Sequence, residues 1–294
     1  MDRRRFLQLL GLSSLACQWP FSRVFAAPAG PQLAVTTGTD HAKITRDAIN
    51  LLGGMSRFVK AGDIVVVKPN MGWDRAPEYA ANTSPVVVRA VVEEALKAGA
   101  KTVKVFDRTC NDARRCYVNS GITAALKGMK GVELKQIEEE RFKKVQLSGA
   151  TLKEWELYGE ALSANVFINV PVAKHHALST LTLGLKNVMG VMGGDRGKVH
   201  RHLEGALADV NAALKSHLTV IDATRVLTAH GPQGGNLADV KALNTVIASP
   251  DIVAADAYAT TLFGKKPEEI AVTVAAHKRG LGEMDLKKVK ILRG

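Results

Sequence analysis

An α/β protein with a mostly parallel sheet and helices on both faces is what this sequence predicts. Short apolar runs rich in valine and isoleucine alternate along the chain with longer segments of helical spacing. Four consecutive apolar residues, 64–67, read as a strand buried on both faces. From there a Ser84-Pro85 helix start leads to a second apolar run at 101–107, the strand, helix, strand order of a parallel crossover. The 294 residues, 46% of them hydrophobic, suffice for a substantial core, in one lobe or two.

Residues 32–37 read as a first strand and 42–52 as a helix that Gly53-Gly54 ends. Strand 63–68 is stopped by Pro69, and the long loop 70–83 holds Trp73, Asp74 and Arg75. Ser84 fits an N-cap with Pro85 in the first helical position, and the helix runs over 86–98 to Gly99. Strand 101–107, a helix over 113–126 and strand 132–137 follow; residues 138–149 are charged and match no element. A helix is expected over 152–164 and a strand over 165–170. Leu178, Leu181, Leu185, Val188 and Met189 recur at helical spacing, with Gly190 where a C-terminal cap belongs, so a helix is expected over 178–189. Residues 190–199 form a glycine-rich loop; helix 203–214, strands 218–221 and 240–247, helices 251–262 and 267–278, and strand 289–292 complete the chain. No internal repeat or linker interrupts residues 27–294, which read as a single α/β domain.

The first 26 residues read as an address. Asp2-Arg3-Arg4-Arg5-Phe6-Leu7-Gln8 is similar to the twin-arginine export consensus, and Val24-Phe25-Ala26 supplies small residues where a signal peptidase cuts. The expected location is periplasmic, with the twin-arginine translocase as a partner during export. The apolar run 9–15 is too short for a membrane span, and no other segment is long enough. Net charge is +12, and +9 once residues 1–26 are removed. That excess suits a small anionic ligand, an acidic partner protein or a membrane surface. Nucleic acid is not an expected partner, because aromatics are only 5% of the chain and no nucleic-acid module is present.

After cleavage two cysteines remain, Cys110 and Cys116. Two thiols without a CxxC pair do not hold an iron–sulfur cluster. In an oxidising compartment they read as a local disulfide.

Residues 169–202 concentrate the chemistry, with Lys174, His175, His176, Lys186, Asn187, Arg196, Lys198, His200 and His202 following an apolar strand. Four of the eight histidines are there. Four strands end in polar residues, at Lys68-Pro69-Asn70, at Asp107, before Lys174-His175-His176, and at Asp222, which is where an open parallel sheet presents a ligand site. Lys174, Lys186 and Asp222 are the catalytic candidates; Lys68, Asn70, Asn187 and Arg196 are the substrate-binding candidates. A buried ammonium is tolerated mainly when paired, so the lysines point to an anion, or, with a depressed pKa, to a base or a covalent nucleophile. His176, His200 and His202, with Asp222, form a candidate transition-metal set. If residues 199–203 are extended, His200 and His202 point the same way; if helical, they diverge. The loop 190–198 is not a phosphate loop, since Met192 falls where its first glycine belongs and Val199 replaces the hydroxyl residue.

Several of these segments occur in a familiar order. Val65-Val66-Val67-Lys68-Pro69-Asn70, Asn169-Val170-Pro171 with Lys174 and His175, Leu185-Lys186-Asn187-Val188-Met189-Gly190, His200, Val220-Ile221-Asp222-Ala223, Gly231-Pro232-Gln233-Gly234 and Ala254-Ala255-Asp256-Ala257 resemble the ordered motifs of domain-of-unknown-function family 362, from residue 63 to 260. Some members of that family carry a ferredoxin-like segment whose cysteines this chain lacks. The family pattern Lys-Thr-His stands against Lys174-His175-His176, which puts His176 in the usual histidine position. Thr228-Ala229-His230 precedes Gly231 where members have Glu-Gly, so one acid is missing. The lysines and histidines are also similar in style to lactate-racemase-like proteins, which arrange such residues around a nickel cofactor.

Two functional classes follow. One is an exported enzyme acting on a small anionic substrate by metal-assisted, redox or lysine-dependent chemistry; the other is a periplasmic anion- or metal-binding or assembly protein without catalysis. Export itself has a direct test. Replacing Arg3 and Arg4 with lysine is expected to leave the precursor in the cytoplasm, because guanidinium and ammonium groups differ in geometry, and fractionation of cells checks it.

Overall fold

The computed structural model describes residues 30–294, so Arg3, Arg4 and the cleavage site at Ala26 lie outside the described residues. Among the described residues twelve strands follow in chain order: β1 (Gln32–Thr37), β2 (Ile64–Pro69), β3 (Thr102–Val105), β4 (Val132–Leu134), β5 (Phe142–Gln146), β6 (Glu154–Tyr158), β7 (Val166–Val170), β8 (Val172–His176), β9 (Thr180–Thr182), β10 (Leu218–Leu227), β11 (Val240–Ser249) and β12 (Lys290–Arg293). The α-helices are α1 (His41–Leu51), α2 (Pro85–Lys97), α3 (Ala113–Asn119), α4 (Ile122–Leu126), α5 (Gly159–Leu162), α6 (Gly184–Asn187), α7 (Leu203–Ala213), α8 (Ile252–Thr261) and α9 (Ala271–Lys278).

The main sheet runs β12-β1-β11-β10-β7-β2-β3-β4, with β8 and β9 branching from β10. Along this path pairing is parallel from β10 to β4 and antiparallel where β11 meets β1 and β10; the branch pair β8–β9 is antiparallel as well. Alternating side chains bury both faces. Val65, Val67, Val166 and Ile168 pack with α1 and α2, while Val66 and Phe167 meet Phe106 and Tyr158 on the opposite side. Farther along that second face, Leu33, Ile221 and Ile247 pack against alanines of α8. The protein is therefore α/β, with a mixed, mostly parallel sheet between helices, as the unbroken run at residues 64–67 requires. Among the described residues no helix is long and apolar enough to cross a membrane.

From β2 the chain builds outward through β3 to β4, then returns to β7 on the other side of β2. Strand order reverses between β2 and β7, and ligand sites in open sheets form at the carboxyl ends of strands flanking such a point.

Several elements differ from their sequence expectation. The expected helix at 152–164 is strand β6 and the single turn α5. Trp155 faces Val145 and Leu157 faces Lys143 in an antiparallel pair, and along β6 Trp155 and Leu157 alternate with Glu154 and Glu156 at a strand period. The expected helix at 178–189 is a β8–β9 hairpin, α6 and a further 3-10 turn. Leu178, which completed the helical spacing, is 72% exposed in the hairpin turn. Lys174, His175 and His176, expected beyond the end of the strand at 165–170, lie on a strand of their own, β8, where Lys174 aligns with Leu227 of β10. The helix expected over 113–126 divides at Gly121, which has φ +76° and whose Cβ would meet Pro77 and Pro85 at 3.3 Å. Cys110 and Cys116 are free thiols rather than a disulfide: Cys110 is exposed in the loop after β3, while α3 turns Cys116 into the core.

Asp256 of α8 positions the short helix that carries two of the site residues. Its Oδ1 accepts from Gly184 N at 2.7 Å and its Oδ2 from Leu185 N at 2.9 Å, which satisfies two N–H groups at the start of α6. Burial pushes the Asp256 carboxyl up to about 7 even though both bonds favour its charged form. Asp256→Ala is expected to strand both donors, destabilising the fold by about 2–4 kcal/mol in urea unfolding and loosening α6.

Candidate functional site

The site begins at the carboxyl ends of β2 and β3, adjacent strands that place Lys68 beside Asp107. Lys68 Nζ lies 2.6 Å from Asp107 Oδ1, and both side chains are buried. The ammonium also donates to Pro69 O at 2.7 Å and Asn187 Oδ1 at 3.1 Å, which uses its three N–H groups. Asp107 Oδ2 accepts from Met71 N at 2.8 Å. Burial pulls the Lys68 ammonium below its ordinary value, and the Asp107 carboxylate opposes that shift. Asn187 is equally committed, since its Nδ2 donates to Lys68 O at 3.1 Å and to Asn169 Oδ1 at 2.8 Å. Lys68 and Asn187, expected to bind substrate, thus form an internal frame and offer no spare donor.

Gly190 closes this frame from above. A Cβ there would sit 1.7 Å from Asp107 Oδ1 and 2.4 Å from Lys68 Nζ, so only glycine permits the close approach.

Around the frame stand cations that have no acid of their own among the described residues. Lys174, 0% exposed, donates to Ala81 O, lies 3.5 Å from Asn70 Oδ1 and has its Nζ 5.7 Å from the centre of the Trp73 ring. Burial lowers its ammonium to about 7; Lys186 and Lys68 add to the shift, while Cys110 and Asp107 oppose it. Lys186 on α6 is nearly as buried, and its Nζ meets Met189 Sδ at 3.2 Å, a weak acceptor. Burial lowers it to about 8, helped by the charge of Arg196. Arg196 spans the glycine loop, donating to Arg108 O, Met189 O and Thr109 O at 2.9, 3.1 and 2.7 Å.

His176 and His200 meet with ring centroids 6.2 Å apart and planes 17° from parallel. His176 Nδ1 accepts from Leu178 N at 3.0 Å and Ser179 N at 3.3 Å, which leaves its proton on Nε2. Burial, then the charges of Lys186 and Lys174, hold its pKa down to about 3, so the ring is neutral at ordinary pH. Burial and Lys186 lower His200 as well. Its Nδ1 is 3.2 Å from Gly197 O.

Two expectations need correction. Residues Lys198–His202 form a 3-10 helix, so His200 and His202 diverge, and His202 is exposed. Among the described residues no three of His, Cys, Asp and Glu come together as a set able to hold a metal, so the metal triad of His176, His200 and His202 does not assemble. Besides the imidazoles of His176 and His200, the groups that assemble are ammonium and guanidinium cations, which are not metal ligands while charged. Asp222, expected among the catalytic groups, fastens backbone instead. Its Oδ2 accepts from Ser84 N at 2.7 Å, and its Oδ1 from Thr224 N at 3.0 Å and Thr224 Oγ1 at 2.7 Å. Burial raises its pKa.

Sequence reasoning brings Lys174, Lys186, His176 and His200 into one neighbourhood, because each follows a strand end or borders the glycine loop. It passes over Asn169, Trp73 and Cys110. Asn169 adjoins the strand-end Pro171, a signal of the same kind as Asn70; Trp73 and Cys110 lie on loops whose course no local pattern reveals. Gly190→Ala is expected to split the Lys68–Asp107 pair and lower stability by about 3–5 kcal/mol in denaturant unfolding. Gly197→Ala in the same loop, where φ is −61° and only the Asp195 side chain is near, is expected to change stability by less than about 1 kcal/mol.

The family described as Domain of unknown function (DUF362) matches residues 65–261, from β2 to the end of α8. Thylakoid-associated protein sll1697 of Synechocystis sp. is 30% identical over 244 residues, covering 80% of this chain and 74% of that protein. Among solved structures, the lactate racemase apoprotein from Thermoanaerobacterium thermosaccharolyticum has a TM-score of 0.47 at 10% identity over 74% of this chain, which spans 54% of that structure. The family's match takes in the whole frame, from Lys68 through Asp107 and Asn187 to Asp256, and the chain belongs to the domain-of-unknown-function family 362.

Proposed function

We propose that this protein is an exported enzyme that binds a small carboxylate-bearing substrate among Lys174, Lys186 and Arg196 and moves a proton on it through a lysine. Lys174 carries the reading: a fully buried lysine with no carboxylate partner among the described residues, its ammonium lowered to about 7. At that value the charged form, which attracts an anion, and the amine form, which accepts a proton, are both populated near neutrality. Asp107, a carboxylate whose charge acts on Lys174, is already paired with Lys68, so an incoming anion supplies the missing countercharge. His176 presents a neutral Nε2–H as a donor, and Asn70 steadies Lys174 from the β2 end. Export rests on Arg3, Arg4 and Ala26 and is proposed on the sequence alone.

The competing reading is an anion-binding protein that does no chemistry. The commitment of Asp222 to Ser84 and Thr224 favours it, because a lysine base is then left without a companion acid. Conversion of a carboxylate substrate by the wild-type protein, lost in Lys174→Met, separates the two.

Anion binding itself has a signed pH dependence. With Lys186 lowered to about 8 and Lys174 to about 7, both are charged at pH 6 and mostly neutral at pH 9. Oxalate or phosphate at millimolar concentration is expected to raise the melting temperature by roughly 3 °C or more at pH 6 and by much less at pH 9. Without ligand, the unfolded chain binds more protons than the folded one between about pH 7 and 10.5, so stability rises with pH across that window. Lys174→Met lacks most of that rise. No thermal shift at pH 6 with either anion defeats the reading.

A further inference from the structure

Arg75, on the long loop after β2, has no part in the roles assigned above. It lines a cavity of about 430 Å³ with Asp74, Ala76, Tyr79, Asn119 and Gly235, and none of the lysines of the candidate site is among them. Three segments remote in sequence meet there: the loop after β2, the end of α3 and the loop after β10. The volume falls in the range of sites for small organic ligands, roughly 300–1,000 Å³. Trp73, two residues before Arg75, has its ring by Lys174, so one loop serves both places.

The guanidinium of Arg75 is short of partners. Among the described residues its one hydrogen bond runs from Nη1 to the carbonyl of Asp74 at 3.1 Å, no carboxylate pairs with it, and its buried Nε meets no acceptor. A buried N–H without an acceptor carries a cost that a ligand oxygen removes. The backbone beneath it is nevertheless fixed, because Asn82, itself buried, donates from Nδ2 to Trp73 O at 2.9 Å and to Arg75 O at 3.0 Å. Gly235 comes against the unpaired edge of the group. A Cβ there would stand 3.5 Å from Nη2 and 3.9 Å from Nε, so the glycine keeps a side chain off that edge. Nη2 and Nε are a pair of donors that matches the two oxygens of a carboxylate.

Charge narrows the class of ligand. Asp74 also lines the cavity, but its Oδ1 accepts from Asn119 Nδ2 at 2.5 Å and its Oδ2 lies 2.5 Å from Arg115 Nη2. Arg115 thus meets the charge of Asp74, and Arg75 is left as a single cation in excess.

We propose that this cavity is a second ligand site, in which Arg75 holds the singly charged carboxylate of a small organic acid. It is separate from the lysine cluster and does not rest on the reading of that cluster.

Equilibrium dialysis against radiolabelled acetate at pH 9 tests it. Lys174 and Lys186, lowered to about 7 and about 8, are mostly neutral at that pH, whereas arginine side chains keep their charge. Saturable binding is expected in the wild-type protein and in Lys174→Met, and binding weaker by roughly tenfold or more in Arg75→Gln. Arg75→Lys, which keeps the charge and loses the planar pair of donors, is expected to fall between them, and it carries the comparison if Arg75→Gln fails to fold. Inorganic phosphate, doubly charged at pH 9, is expected to bind more weakly than acetate. At pH 6 Arg75→Gln is expected to retain most of the rise in melting temperature with oxalate, the sign of a folded protein with its lysine cluster intact. Acetate bound as tightly by both Arg75 variants as by the wild type, no saturable binding at pH 9, loss of that binding in Lys174→Met, or phosphate bound more tightly than acetate overturns the proposal.

Discussion

The buried pair of Lys68 and Asp107 is the interaction on which the rest of this site depends. Two charges have left water, and their attraction is supplemented by Pro69 O, Asn187 Oδ1 and the Met71 N–H, so that neither is left unmet. Removing either partner leaves an uncompensated charge, which ties together the ends of β2 and β3, the position of α6 and the glycine at residue 190. The pair also stands where strand order reverses, the place where the open sheet leaves a crevice.

Spending Asp107 on Lys68 has a consequence for the neighbouring lysines. Lys174 and Lys186 are held in a weakly polarisable interior by a carbonyl, an amide oxygen, an aromatic face and a thioether, none of which is an anion. Their ammonium forms are correspondingly less favoured, and a ligand with negative charge restores them. His176 does not add to the repulsion, because two backbone N–H groups bind Nδ1 and keep the ring neutral. The two histidines can therefore stack beside cations without the cost of a third charge. This arrangement of buried cations is the ground of the anion-binding function proposed above.

Local pattern carried much of this fold. Strands β2 and β7 were legible because unbroken apolar runs have no other stable use, and α2 because Pro85 and Gly99 punctuate it. Residues 152–164 and 178–189 misled for a shared reason: apolar side chains at intervals of three or four also arise when a short strand is followed by a turn. Pairing of β6 with β5 and of β9 with β8 decided those cases, and neither partner is marked in the local sequence. Cys110 and Cys116 are close in the chain, yet the turn of α3 sends one inward and leaves the other outside.

For the site, the sequence by itself determined the supply of groups: Lys68, Lys174, Lys186, His176 and His200 are set near strand ends and the glycine loop by short-range order alone. Only the tertiary structure decided which charges meet. Asp107 and Asp222 each follow a strand and look alike in the chain, but β3 lies beside β2 and brings Asp107 to Lys68, whereas Asp222 on β10 is drawn to Ser84 and Thr224. The 3-10 turn at Lys198–His202 likewise brought His200 to His176 and left His202 in solvent. The physical reason is that an ion pair, a desolvated ammonium and a stacked ring take their energy from distances of a few ångströms between segments remote in sequence, and strand order sets those distances.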